Sequence, residues 1–437
     1  MTSIILSAIG LILAIAVFII LCMKGTGAIF ASVIATMIIA VTANGGFTEN
    51  FFTVFMTGTM GFMQNMLLLF ITGALFGGLL NITGCNDSIG RTLTRVLGQK
   101  NVLYIIMVFS MVVAATGASP IIIVAYLAVG LMKSVNMPRY IGMCAMAGTM
   151  IMTQNVLPVS GTIGNLIPTM FLGTTIYAAP LMGIIAFAVG LPLNIFYVNW
   201  LVKDAKKRGR VYDPMPGEEN MKLREETDTP PFILAILPIV FIIVFCFIAV
   251  LAFQMDSSQA VIYASLLGAL LILITCGKYI HTKSKFKMLG DTISFMMPIV
   301  IGTSIVVGFA AVVANTEVYN AVVGWIMGLN MNPYVLVVIG TTLICILCAD
   351  CLGGSSSFLA LMGEKILAMG ANPAAVHRLT SITSTAFDSM PHNGSMCMIL
   401  MCYGYEHKDG YKYLMISNIA IPMIMSLVAM VVAVVAY

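Results

Sequence analysis

Charge is scarce in this chain. Asp, Glu, Lys and Arg together make up 9% of 437 residues, against roughly 25% in a soluble domain, which excludes a soluble globular protein. The net charge of +4 resides in short basic loops and leaves no footprint for nucleic acid. No cysteine framework is present: ten cysteines lie dispersed through apolar segments, which excludes a disulfide-stapled fold. Cys345, Cys348 and Cys351 do form a CxxCxxC run, but no fourth ligand stands near it, so neither metal nor cofactor is expected. Neither HExxH nor GxSxG occurs. The serines after Gly354 have no histidine placed to activate them, so the chain is not read as an enzyme.

Hydrophobic residues are abundant, at 60%. Runs such as Ile4–Leu21, Phe232–Ala252 and Ile416–Ala436 approach the ~20 apolar residues that cross a bilayer. The first has no positive n-region, is longer than a secretory h-region and runs straight into another apolar segment, so it is read as a span. The expectation is an all-α polytopic membrane protein with spans near 3–23, 27–44, 60–83, 140–172, 176–201, 232–253, 259–276, 289–313, 377–403 and 412–436. Segments 102–132 and 334–363 are apolar but interrupted at their centres, by Thr116-Gly117-Ala118-Ser119-Pro120 and by Asp350-Cys351-Leu352-Gly353-Gly354-Ser355-Ser356-Ser357.

Lysine and arginine favour cytoplasmic loops, which decides how these two segments fold. If each is a re-entrant hairpin, all of the 21 basic residues except Lys365 and Arg378 fall on one face; if each crosses once, the split is 15 against 6. The hairpin reading therefore places both termini outside the cytoplasm. It also gives each half five full crossings, so the halves are expected to be inverted repeats: 1–202, a cytoplasmic linker 203–230, and 231–437. The setting expected is a bacterial cytoplasmic membrane. Segments 86–99 and 317–329 read as interfacial amphipathic helices. The apolar faces permit a homodimer without requiring one.

The repeat is also visible in motifs. Gln154-Asn155-Val156-Leu157-Pro158-Val159-Ser160-Gly161 and Asp388-Ser389-Met390-Pro391-His392-Asn393-Gly394 are polar breaks in apolar segments, and their prolines lie 233 positions apart. Phe76 and Phe309 are also 233 apart, while Asn101 and Asn332 are separated by 231. Irregular backbone at membrane depth survives where it is buried in protein or lines a cavity. Half-helix N-termini there suit a carboxylate. The candidate substrate site is therefore Thr116, Gly117 and Ser119 at one hairpin tip and Gly354, Ser355, Ser356 and Ser357 at the other. Asn155, Pro158, Ser160 and Gly161 from the first break, with Ser389, His392, Asn393 and Gly394 from the second, complete it. The bland alternative is that Pro and Gly only kink these helices while the polar groups satisfy freed carbonyls. Four breaks paired by a repeat favour a site.

An aspartate at a helix centre in hydrocarbon costs roughly 2.5–3.5 kcal/mol or more, so Asp350, Asp388 and His392 are candidate ion-coupling residues. Asp388 and His392 stand four apart, one helical turn if the helix continues that far, and are expected to share a proton or to staple the break. His377 and Arg378 are expected near the outer surface, explained by packing or, for Arg378, by attraction of anions at an entrance.

Met369-Gly370-Ala371-Asn372-Pro373-Ala374-Ala375-Val376-His377-Arg378, then Phe387 to Gly394, then Glu406-His407-Lys408-Asp409-Gly410-Tyr411, resembles the C-terminal signature of the gluconate permease family, nearest its hydroxybutyrate-type branch. Pro391-His392-Asn393-Gly394 is the most specific element. Phe387 and Thr385-Ala386 depart from the branch, which leaves pocket shape and substrate open. The resemblance implies two inverted repeats with re-entrant hairpins and discontinuous helices, an elevator motion, and cation-coupled uptake of an organic acid. The expected function is proton-coupled symport of a small hydroxy-monocarboxylate such as gluconate or 3-hydroxybutyrate. Sodium-coupled symport and cation/proton antiport are the alternatives.

Overall fold

A computed structural model describes residues 2–98, 101–115, 121–158, 162–215, 226–280, 285–329 and 331–437. Among these residues every regular element is a helix. In a hydrocarbon setting this is the economical solution for a single chain, because each backbone donor finds its acceptor one turn away.

The first half opens with α1 (Thr2–Met23) and α2 (Ala28–Ala40). A single turn, α3 (Gly46–Thr48), then leads through a π-helical segment, Glu49–Val54, into α4 (Phe55–Ile82). Next come the short α5 (Cys85–Leu97) and the pair α6 (Val102–Ala115) and α7 (Ile121–Ser134). α8 (Arg139–Ile151), a π-helical turn at Met152–Val156 and α9 (Ile163–Leu172) form an interrupted helix, and α10 (Pro180–Lys207) closes the half.

The second half repeats this order. α11 (Phe232–Leu251) and α12 (Ser257–Cys276) precede the long α13 (Lys285–Ala314), and the short α14 (Glu317–Gly328) follows. α15 (Pro333–Cys348) and α16 (Cys351–Ala368) come next, then the interrupted pair α17 (Pro373–Phe387) and α18 (Gly394–Cys402). α19 (His407–Met415) continues through a π-helical turn into α20 (Ile421–Ala436).

Packing between the halves is reciprocal. α2 lies on α13 as α12 lies on α4; α14 lies on α1 as α5 lies on α11; α9 packs on α16 as α18 packs on α7. α4 meets α13, and α10 meets α20.

The expected count of ten full spans is not reproduced by helix length. Ile4–Met23, Pro180–Lys207, Gln259–Tyr279 and His407–Ala436 are long and apolar enough to cross a membrane unbroken. Two further candidates are bent pairs: Gly46–Gln64 with Leu67–Leu80 at 43°, and Val300–Ala314 with Glu317–Ile326 at 59°. The expected spans 140–172 and 377–403 are each two shorter helices around a break. α2 is held to 13 residues by glycine turns at both ends, with Gly27, Gly45 and Gly46 at positive φ.

Loops that the charge argument placed on one side do meet. Arg95 pairs with Glu226 at 3.0 Å and Arg91 donates to Thr229 Oγ1, so α5 holds one end of the linker. Gly25 lies against Glu406 and Lys408. Loops placed on the other side also meet: Asn315 donates to the Asn44 carbonyl, and the Val318 N–H donates to Ser7 Oγ.

Candidate functional site

The second hairpin and the second break build one site. α15 and α16 run antiparallel, with Gly340 facing Phe358 and Gly354 facing Cys345. Their turn is a single left-handed residue, Ala349 (φ 47°), followed by Asp350 in extended conformation. Asp350 caps α16, its Oδ2 accepting the Gly353 N–H at 2.6 Å. Asn393 caps α18 in the same way, its Oδ1 accepting from Met396 N at 2.8 Å. With its other amide atom Asn393 donates to the Ala349 carbonyl at 2.5 Å. One side chain thus joins the break to the hairpin tip.

Asp388 ends α17 and accepts the Ser389 hydroxyl at 2.8 Å. Its carboxylate faces Cys351 and Asp350 closely enough for all three to interact electrostatically. Asp350, Cys351 and Asp388 keep accessible surface, as do Leu352, Gly353 and Ser356. Ionisable groups this deep in an apolar chain are costly, which makes the cluster a candidate site. Ser356 returns its hydroxyl to the Leu352 carbonyl, while the Ser355 hydroxyl is buried and unpartnered.

The expected sharing of a proton between Asp388 and His392 is not seen. His392 is 1% exposed, lies edge-on to Phe18 and Phe309, and closes no hydrogen bond at either ring nitrogen. The carbonyls of Ile346 and Leu347 at the end of α15 are its polar neighbours. The reason is local: α17 stops at Phe387, so the turn spacing that would stack residue 392 over 388 is lost. The break's own carbonyls are satisfied from α19, as the bland alternative anticipated. His407 Nε2 donates to Pro391 O and Tyr411 Oη donates to Ser389 O, both at 2.9 Å.

Half-helix N-termini here are not open cradles. Asp350 and Asn393 already take an N–H at each, so a substrate carboxylate reaches those donors only by displacing a cap or using the N–H groups beside it.

The first break packs between α10 and α17. Thr162 Oγ1 donates to the Gln154 carbonyl at 2.6 Å, Asn155 folds over Gly164, and Pro158 packs against Gly183 of α10. It meets α17 through Ser381, whose hydroxyl donates to Gly164 O. Among the described residues, no hydrogen bond brings Asn155 to Asp388, Ser389 or Asn393. Thr116, Gly117, Ser119, Ser160 and Gly161 lie outside the described residues.

Packing, one of the explanations expected for Arg378 and His377, is what the structure shows. Both are fully buried. Arg378 donates to Ala178 O at 3.0 Å, Asn165 Oδ1 at 2.9 Å and Ile176 O at 2.6 Å. His377 sits between Asn165 Oδ1 (3.1 Å) and Thr174 Oγ1 (2.6 Å). Asn165 Oδ1 only accepts, so the proton is on Nε2 and Nδ1 takes the threonine hydroxyl. This network fastens the α9–α10 turn to α17, and sequence reasoning missed it because Asn165 and Thr174 belong to no motif.

No protein-family model matches the chain. It is 26% identical over 406 residues to the uncharacterized transporter YxjC of Bacillus subtilis, covering 84% of this chain and 83% of that one. The comparisons place the chain among membrane transporters. An uncharacterized transporter of Haemophilus influenzae is 22% identical over 330 residues, 73% of each chain. Among solved structures, the Alcanivorax borkumensis YdaH transporter aligns over 96% of both chains with TM-score 0.39 and 12% identity. Neisseria gonorrhoeae MtrF, described within a class of antimetabolite efflux pumps, aligns over 97% of this chain and 94% of its own, with TM-score 0.36 and 14% identity. These relatives are transporters rather than enzymes.

Proposed function

We propose that this transporter is a cation-coupled symporter of a small organic carboxylate, with proton coupling at the Asp388–Asp350 crevice. The observation that carries the reading is the meeting of two carboxylates and Cys351 where a hairpin tip touches a helix break, with accessible surface at all three. Protonation there removes negative charge from the site and lets a substrate anion approach. It also weakens Asp350 as the cap of α16, freeing the Gly353 N–H for the incoming carboxylate. Ser389, Asn393 and the serines of α16 supply the neutral donors; His392, unpartnered beside the break, is the second proton site. Sodium coupling is the variant in which the freed carbonyls of α15 hold the ion.

The halves are read as inverted repeats, 1–202 and 231–437, in a bacterial cytoplasmic membrane with both termini outside. Reciprocal packing supports this, as does the meeting of the loops assigned to each side. On that topology α1 ends at the basic face while α11 begins there. The gluconate permease resemblance makes gluconate and 3-hydroxybutyrate the substrates to try first and an elevator movement the motion to test.

The experiment uses purified protein in liposomes with gluconate, 3-hydroxybutyrate and lactate offered singly and no sodium present. Internal acidification that depends on one acid and disappears in Asp388→Asn supports the symporter. Uptake restored by sodium alone moves coupling to a sodium site. Cation-driven pH change that ignores all three acids gives the protein to the antiporter reading.

A further inference from the structure

Three stretches distant in sequence close over a cavity of about 490 Å³ at the basic face, away from the crevice described above. Its walls are Tyr140 at the start of α8, Arg210 and Asp213 from the linker, and Tyr405, Lys412 and Tyr413 around α19. The size falls within the range of small-molecule sites.

The frame of the cavity is rigid. Arg139, 3% exposed, gives its backbone N–H to Asp213 Oδ1 and its Nη2 to Asp213 Oδ2, both at 3.1 Å. It also donates to the carbonyls of Pro214 and Tyr403, and its guanidinium lies 4.7 Å over the Tyr405 ring. Tyr405 Oη donates to Asp213 Oδ2 and accepts the Tyr140 N–H. The Asp213 carboxylate is therefore neutralised by the frame, although 41% of the side chain stays exposed toward the cavity. The Tyr140 and Tyr413 rings stack at 4.0 Å.

What remains points one way. Arg210 uses one N–H on Tyr413 Oη at 2.7 Å and has others to give. The Lys412 ammonium stands 5.1 Å from the Tyr413 ring. The Tyr140 hydroxyl is buried beside Arg210, which can only donate to it, so the hydroxyl's own proton meets no acceptor. A bound acceptor oxygen would take that proton. Against these two cations the described lining presents the Asp409 carboxylate and the paired Asp213 carboxylate.

We infer that this cavity binds a phosphate-bearing anion, held by Arg210, Lys412 and the Tyr140 hydroxyl. A guanidinium, an ammonium and a phenol converging from different walls match a tetrahedral oxyanion with several acceptor oxygens. Its occupant would tie the inter-half linker to α8 and to α19 at once, so binding stiffens the join between halves. The ligand is free phosphate or a phosphate ester, or else a phospholipid headgroup, since the chemistry is shared.

The test needs no transport substrate. Thermal unfolding of the purified full chain in detergent is followed as inorganic phosphate is added at constant ionic strength, with chloride as the reference anion. The expected result is a saturable rise in unfolding temperature with phosphate alone. The half-saturating concentration should increase at least tenfold in Arg210→Gln and in Lys412→Gln, and several-fold in Tyr140→Phe. Arg210 and Lys412 are exposed, so these variants retain the fold. A second arm compares nanodiscs of phosphatidylglycerol and phosphatidylcholine. Stabilisation by phosphatidylglycerol that Arg210→Gln abolishes, without a response to free phosphate, assigns the headgroup as ligand. No saturable stabilisation in either arm, or stabilisation that all three variants retain, overturns the inference.

Discussion

Asn393 and Ala349 are 44 positions apart, and the amide of the first donates to the carbonyl of the second at 2.5 Å. The same amide caps α18 through Met396 N, so one side chain sets both the start of a half-helix and its distance from the hairpin tip. Asn393→Ala removes a cap, for about 1 kcal/mol, and leaves a carbonyl without its donor, for about 1–3 kcal/mol more. Asn393→Ser keeps a neutral capping oxygen and loses the reach to Ala349. Thermal unfolding of the purified variants should rank wild type above Asn393→Ser above Asn393→Ala. A ranking in which Ser is no better than Ala would show that the cap contributes nothing.

The hairpin is close-packed for a reason visible at Gly354. A Cβ there would overlap the Cys345 thiol and lie 3.1 Å from Cys345 Cα. Gly354→Ala must part α15 from α16 and is expected to destabilise by about 1–3 kcal/mol. Adding Cys345→Ala removes the sulfur but not the backbone, so the double variant should recover part of the loss. Full recovery would mean that the backbones have room to spare.

Much of the architecture was legible because hydrocarbon imposes simple rules. Long apolar runs, clustered basic loops and two proline–glycine breaks at a common offset located the hairpins and interrupted helices to within a few residues. The same reasoning singled out Asp388, Ser389, Asn393 and Asp350, which the structure gathers where a hairpin tip meets a break. Partner choice was not legible. Whether Asp388 turns to His392 or to Ser389 depends on where α17 stops, and a break defined only by proline and glycine does not say. Packing was expected for Arg378, but its partners were not legible, because the carbonyls of Ile176 and Ala178 carry no sequence signal. Shortened helices such as α2 escaped notice because hydropathy does not register turns at positive φ.

Arg378 gives a sharp test of that buried network. Arg378→Met deletes three hydrogen bonds from a charged donor; Asn165 Oδ1 keeps His377 and Ile176 O keeps the Asn165 amide, while Ala178 O loses its side-chain donor. The expected loss is about 3–5 kcal/mol, read as a large fall in unfolding temperature or failure to accumulate in the membrane. Arg378→Lys should rescue little, because a single ammonium cannot span acceptors placed for a planar fork. Asn165→Leu should resemble Arg378→Met, and combining the two should cost much less than the sum.

The pH dependence of uptake separates surface electrostatics from the coupling site. At the basic face Arg95 holds the Glu226 carboxyl below its ordinary range through a hydrogen bond and its charge. A carboxyl shifted downward contributes stability above its unfolded pKa and loses it only as pH falls through the lower folded value. Between pH 5 and 8 the Arg95–Glu226 pair therefore stays ionised and adds no slope. Both side chains are about two-thirds exposed, at 67% and 68%, so salt screens the pair and its removal should leave unfolding temperature unchanged. Glu226→Gln is thus expected to keep the wild-type pH profile of acid-dependent uptake. Asp388→Asn, lacking the titratable group of the crevice, should abolish proton-driven uptake yet still permit exchange of labelled for unlabelled acid at a rate independent of pH. Exchange that keeps the wild-type pH profile in Asp388→Asn would move the coupling proton to Asp350 or His392, and Asp350→Asn and His392→Gln measured in the same assay would decide between those two.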